Sequence, residues 1–226
     1  MHKNCRVLVT GAGSGVGQGI IKALRVSNLP VTIISSDITC MNSALYRTDE
    51  AIILPPVEDE GSLNEIVFAI EKNRIDVVMI GSEFDLLFFS KNKKKLEELT
   101  GVLIIAAPEE TINIADDKWL TAEFLREEGL PYAEAALPSN QDEAVKIAEE
   151  MGYPVVLKAR SGTSSRNVHI INDRQMLMDC FASTPTPMLQ RVIDIPTSEL
   201  HTEYTCSVFK DVNGNVIGPF TARRTV

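Results

Sequence analysis

Short apolar runs and longer amphipathic stretches alternate through the first half of the chain. Arg6-Val7-Leu8-Val9-Thr10 is an unbroken apolar, β-branched run ended by glycines, which predicts a strand buried on both faces. Residues 16–27 then space Ile20, Ile21, Leu24 and Val26 near helical period. Residues 31–35 predict a second strand, and 51–54 a third, closed by Pro55-Pro56. A helix opening at Gly61-Ser62 carries Leu63, Ile66, Val67 and Ile70 on one face. A strand over 75–80, a helix over about 84–99 and a strand over 102–106 complete the series. Strands separated by helices of this length imply a parallel sheet with right-handed crossovers.

After Pro108 the rhythm changes. Two helices, over 116–128 and 141–151, precede any new strand. A strand over 154–159, a polar loop over 160–166, a strand over 168–171 and a helix over 174–182 come next. Strands over 187–193, 202–209 and 216–221 close the series, with Asn213-Gly214 turning the last pair into a hairpin. The expectation is an α/β chain in which a Rossmann-like parallel-sheet domain, residues 1–110, precedes an α+β part with antiparallel strands.

Composition narrows this picture. The 226 residues, 44% hydrophobic and 23% charged, describe a folded chain of one large or two small domains. A net charge of −9 argues against nucleic acid or an anionic membrane as the main partner. Cys5, Cys40, Cys180 and Cys206 form no CxxC pair, which suits reduced thiols and points away from zinc. MHKNCRVLVT runs straight into a strand without an apolar signal region, so the expected location is cytoplasmic.

Gly11-Ala12-Gly13-Ser14-Gly15-Val16-Gly17 lies between a strand and a helix, where bare backbone N–H groups can approach an anion. Asp37 follows at the distance of a ribose-binding acid. Read literally, the loop resembles the short-chain dehydrogenase fingerprint, whose chemistry needs a Tyr-x-x-x-Lys pair. Four places after Tyr46, Tyr132, Tyr153 and Tyr204 stand Glu50, Ala136, Leu157 and Val208, so the catalytic half is missing.

The second half carries the stronger signal. Tyr153-Pro154-Val155-Val156-Leu157-Lys158-Ala159 sets a lysine near the end of a buried strand, where it is costly unless it meets an anion. The hydroxyl-rich loop after it is a means of holding a polyphosphate without a Walker motif. GAGSGVGQGI, IDVVMIGSEFDLL, DDKWLTAEFLREEGLP and GYPVVLKARSGTSSRNVHII occur in that order. Together they resemble the ATP-grasp superfamily, nearest its carbamoyl-phosphate-synthase-like branch, in which a Rossmann-like domain precedes the ATP-grasp domain.

The resemblance implies a first ATP-grasp subdomain over 111–185 and the start of a second over 186–226. It implies an ATP site in which Lys118 reaches the phosphates from the interdomain hinge. Lys158 would contact the α- and β-phosphates, with Ser161, Gly162, Ser164 and Ser165 in the lid loop. The strand from Gln190 would edge the adenine, through the Arg191 carbonyl and the Ile193 N–H, and Glu203 would hold the ribose. Arg223 and Arg224 stand where the family places cations near the γ-phosphate. Gly13, Ser14, Gly15 and Glu83 are the candidate substrate contacts.

Two departures from the family stand out. Asp194-Ile195-Pro196-Thr197-Ser198 lengthens the path from Gln190 to Glu203, making Glu199 a rival for the ribose. The acidic residues that bind Mg²⁺ in the family have no counterpart up to Thr225-Val226, so the chain reads as truncated before its metal-binding part. The implied function is the ATP-binding part of a carboxylate–amine ligase working through an acyl phosphate, with little activity alone. The carboxylate and amine substrates are unread, and a sheet edge left open would favour a homodimer. The alternative is a non-catalytic module binding a nucleotide or another small molecule. Trp119, the sole tryptophan, adjoins Lys118, so titration with ATP is expected to change its fluorescence under the first reading.

Overall fold

The computed structural model describes residues 4–162, 167–193 and 204–223. The chain divides into two compact units, Met1–Phe124 and Leu125–Val226.

In the first unit, strands β1 (Cys5–Thr10), β2 (Val31–Asp37), β3 (Glu50–Ile53), β4 (Val77–Ile80) and β5 (Leu103–Ile105) form one sheet. Their order is β3-β2-β1-β4-β5 and every pairing is parallel. Helices α1 (Gly15–Val26), α2 (Ser62–Lys72) and α3 (Glu83–Thr100) supply three of the crossovers. Alternation along β1 explains its unbroken apolar run: successive side chains point to opposite faces. Leu8 joins Ile34, Val78, Ile104 and Phe89 in one core, while Val7 and Val9 join Ile21, Ile33 and Ala44 in the other. Strand order reverses between β1 and β4, so the turns leaving these two strands face one crevice.

The helix expected over 116–128 forms as α5 (Lys118–Glu127), and α4 (Glu109–Asp116), which the sequence reading did not give, precedes it. Asp117, extended at φ −94° and ψ 112°, breaks the run. Its carboxylate then accepts from the N–H groups of Trp119 at 2.9 Å and Leu120 at 3.2 Å, capping the helix that follows. The boundary between the units falls inside α5.

The second unit contains β6 (Ala135–Ala136), α6 (Gln141–Met151), β7 (Val155–Ala159), β8 (Val168–Ile171), α7 (Arg174–Phe181) and β9 (Pro187–Arg191). The strands make an antiparallel sheet ordered β6-β9-β7-β8. Asn140 and Asp173 cap the two helices through bonds from the Glu143 and Met176 N–H groups, each 2.9 Å. Val155 and Leu157 of β7 pack with Ala144, Ala148, Leu177 and Leu189, so Val156 and Lys158 face the other side.

Among the described residues, strands β10 (Tyr204–Lys210) and β11 (Val216–Arg223) pair only with each other. The expected turn forms around Asp211, which accepts from the N–H groups of Asn213 at 2.9 Å and Asn215 at 2.8 Å, with Gly214 at φ +83°. The α/β-then-antiparallel architecture agrees with the sequence reading. The two-residue β6 escaped it, because so short a run has no period to detect.

Leu157 is fully buried, and Leu157→Ala is expected to cost about 2–5 kcal/mol in urea unfolding. The Tyr153 hydroxyl is buried without a hydrogen-bond partner, so Tyr153→Phe is expected to leave stability unchanged or raise it slightly.

Candidate functional site

The crevice of the first unit is set by two turns that touch backbone to backbone. A Cβ on Gly17 would collide with the Gly11 carbonyl, and one on Gly81 with the Thr10 carbonyl and the Gly17 Cα. Ser14 joins the two turns. Its hydroxyl donates to the Gly81 carbonyl and accepts from the Gly17 N–H at 2.9 Å, capping α1.

The glycine loop is already occupied by the chain's own groups. Asn42 Nδ2 donates to Asp37 Oδ2 at 2.7 Å, and the Gly13 N–H reaches the same oxygen at 3.3 Å. Asp37 Oδ1 accepts from the Ile38 N–H at 2.9 Å. A Cβ on Gly13 would collide with the Asn42 amide. The bare backbone at Gly13 therefore admits Asn42 rather than a pyrophosphate, and Asp37 holds the loop rather than a ribose. This is a second argument against the dinucleotide reading, independent of the missing Tyr-x-x-x-Lys.

Beside the loop lies a cavity of about 310 Å³ at the carboxyl ends of the strands. Thr10, Ser36, Asp37, Ser82 and Asp85 bring polar atoms to it, while Leu54, Pro55, Pro56, Phe84 and Phe89 make much of its apolar wall. Its charged lining residues are Asp37, Glu58 and Asp85, all acidic. Burial pushes the Asp85 carboxyl above the usual aspartate range; the Thr10 hydroxyl opposes this, and Glu58 and Asp37 add to it. Thr10 Oγ1, in a residue 2% exposed, lies near enough to influence Asp85 but makes no well-formed hydrogen bond. Of the expected substrate residues, Gly13 and Ser14 line this cavity. Gly15 and Glu83 are exposed at the first positions of α1 and α3. Asp85, which the sequence reading passed over, stands at the third position of α3, behind the Ser82 cap.

The second unit gathers another part of the expected site. Lys158 of β7 donates to Gln190 Oε1 of β9 at 2.6 Å, on the sheet face opposite the helical core. Past β9, Arg191, Val192 and Ile193 line an open depression of about 390 Å³ with Tyr132, Ala133 and Glu134. Arg191 fixes this edge: its N–H donates to the Glu134 carbonyl at 2.8 Å, and its guanidinium meets the Glu134 carboxylate at 2.7 Å and the Met151 carbonyl at 2.7 Å. Ser161 and Gly162 are exposed where β7 ends, Lys118 is half-buried at the start of α5, and Arg223 is exposed at the end of β11. Ser164, Ser165, Glu199, Glu203 and Arg224 lie outside the described residues. Among the described residues, no three His, Cys, Asp or Glu side chains converge to hold a metal ion, and no helix is long and apolar enough to cross a membrane.

Residues 7–105 match the PylC-like, N-terminal domain family, and residues 114–170 match the ATP-grasp domain family. The chain is similar to carbamoyl phosphate synthase large chains.

It is 28% identical over 167 residues to the arginine-specific large chain of carbamoyl phosphate synthase from Cutaneotrichosporon cutaneum, covering 68% of this chain and 14% of that one. It is 27% identical over 188 residues to the carbamoyl phosphate synthase large chain of Methanothrix thermoacetophila, covering 77% and 17%. The chain thus spans less than a fifth of the length of these two relatives. The biotin carboxylase domain of Hydrogenobacter thermophilus 2-oxoglutarate carboxylase, solved with MgADP, ADP and bicarbonate, shares the fold at a TM-score of 0.73 and 22% identity, over 95% of this chain and 49% of that one.

Because Asp85 holds its proton more tightly in the folded state, its contribution lowers stability as pH rises from the ordinary aspartate range through the raised value. Above that value the cost is constant. Asp85→Asn is expected to remove this fall, so that in thermal melts the variant gains on the wild type as pH rises across this window.

Proposed function

We propose that this chain is the ATP-binding part of an ATP-dependent carboxylate–amine ligase. In that reaction a carboxylate oxygen takes the γ-phosphoryl group of ATP and ADP leaves. An amine nitrogen then attacks the acyl carbon, and phosphate departs as the new C–N bond forms. Residues 1–110 would form the preceding domain, 111–185 the first ATP-grasp subdomain and 186–226 the start of the second.

The observation that carries this reading is the Lys158–Gln190 pair on the face of β7 and β9 opposite the helical core. An ammonium group there can meet phosphate oxygens in a charge-assisted bond, stronger than one to a neutral amide. Lys118, Ser161, Gly162, Ser164 and Ser165 would add donors around the phosphates, with Arg223 and Arg224 at the γ-phosphate. The depression along Arg191 and Ile193 is wide enough for an adenine edge, and Glu203 would hold the ribose hydroxyls. Magnesium belongs to the family's chemistry, but the described residues do not fit a site for it, so their share is positioning and charge neutralisation. Cysteines that form no disulfide suit the cytoplasmic location that belongs to the same proposal.

Thermal unfolding with ATP, ADP and NAD⁺, each with and without Mg²⁺, tests the nucleotide site. ATP and ADP are expected to raise the midpoint, by about 2.7 kcal/mol of stabilisation at a hundredfold excess over Kd. Lys158→Ala is expected to abolish the rise, and Gln190→Leu, which removes the acceptor that positions the lysine, to reduce it. A rise with NAD⁺ alone, or none with either adenine nucleotide, would overturn the proposal.

A further inference from the structure

The cavity in the first unit is not explained by nucleotide binding, and its lining is chemically one-sided. Every charge on it is negative: Asp37, Glu58 and Asp85. Asp37 is engaged by Asn42 and by the Gly13 and Ile38 N–H groups, so Asp85 is the half-buried carboxylate left for a ligand. The Thr10 hydroxyl, in a side chain 98% buried, lines the same cavity with no well-formed hydrogen bond. A buried hydroxyl left in this state costs free energy until something enters to meet it.

We infer that this cavity binds the ammonium group of a small amine, held by the Asp85 carboxylate and the Thr10 hydroxyl, with the amine's apolar body against Pro55, Pro56 and Phe84. An anion is disfavoured by three acids without a compensating cation. A metal ion is disfavoured because the acids do not converge on one point. A volume of about 310 Å³ suits a ligand of amino-acid size, at the low end of small-molecule pockets. That the amine is the nitrogen nucleophile of the ligase rests on the function proposed above; that the cavity takes an ammonium group does not.

The test is a titration of the ¹⁵N-labelled chain with n-butylammonium, 1-butanol and butyrate, at a pH above the raised Asp85 value, followed by the amides of Gly11, Ser82 and Asp85. Butylammonium is expected to move these amides saturably, with affinity at least about tenfold above butanol, and butyrate to leave them unmoved. Asp85→Asn is expected to weaken binding about 10–100-fold and Thr10→Val about 2–10-fold, with both variants melting no lower than the wild type. Lowering the pH through the Asp85 titration, with Asp37 and Glu58 facing the same cavity, is expected to weaken binding as that carboxylate is protonated. Butanol binding as well as butylammonium, butyrate binding better, or both variants retaining full affinity would overturn the inference. ATP added to the same sample is expected to move amides near Lys158; failure there alone would sink the nucleotide reading and leave the amine site standing.

Discussion

Much of the first unit depends on the meeting of two chain turns that leaves no room for a Cβ. Gly17 lies against the Gly11 carbonyl, and Gly81 against the Thr10 carbonyl and Gly17 itself. The Ser14 hydroxyl then closes the contact by bonding both turns. These contacts fix where α1 and α3 begin relative to β1 and β4, and so which side chains reach the crevice where strand order reverses. Asp85 and Thr10 face one cavity because the elements that carry them are held at that distance.

The same geometry redefines the glycine loop. Glycine-rich turns after a first strand bring backbone N–H groups toward anions in many folds. Here the space is filled from within by Asn42, oriented by Asp37. A carboxylate beside the loop also sets the local charge against phosphate. The acidic lining of the first unit's cavity thus disfavours a polyanion there, while Lys158, proposed above for phosphate, sits in the second unit on the sheet face opposite its helical core.

The sequence was legible where one local pattern decided the outcome. Both faces of β1 are buried, so Val7, Leu8 and Val9 could be read as a central strand without knowing their partners. That Lys158, interrupting the apolar run of β7, stands on the face opposite Val155 and Leu157 could be read from its period for the same reason. Helix α4 was not legible, because eight residues with none fully buried leave no apolar stripe for a period to reveal.

By itself, then, the sequence determined the layer architecture, the change from parallel to antiparallel pairing, and the likeness to carbamoyl phosphate synthase large chains, all of which rest on periodicity and on motifs contiguous along the chain. Tertiary structure alone decided what the motifs face. Gly13 reads the same beside a pyrophosphate as beside Asn42, and Asp85 reads the same on a solvated helix as at the wall of an acidic cavity. The difference is made by groups far apart in sequence, Thr10 with Asp85 and Lys158 with Gln190, whose burial and hydrogen bonding exist only once the strands between them have paired.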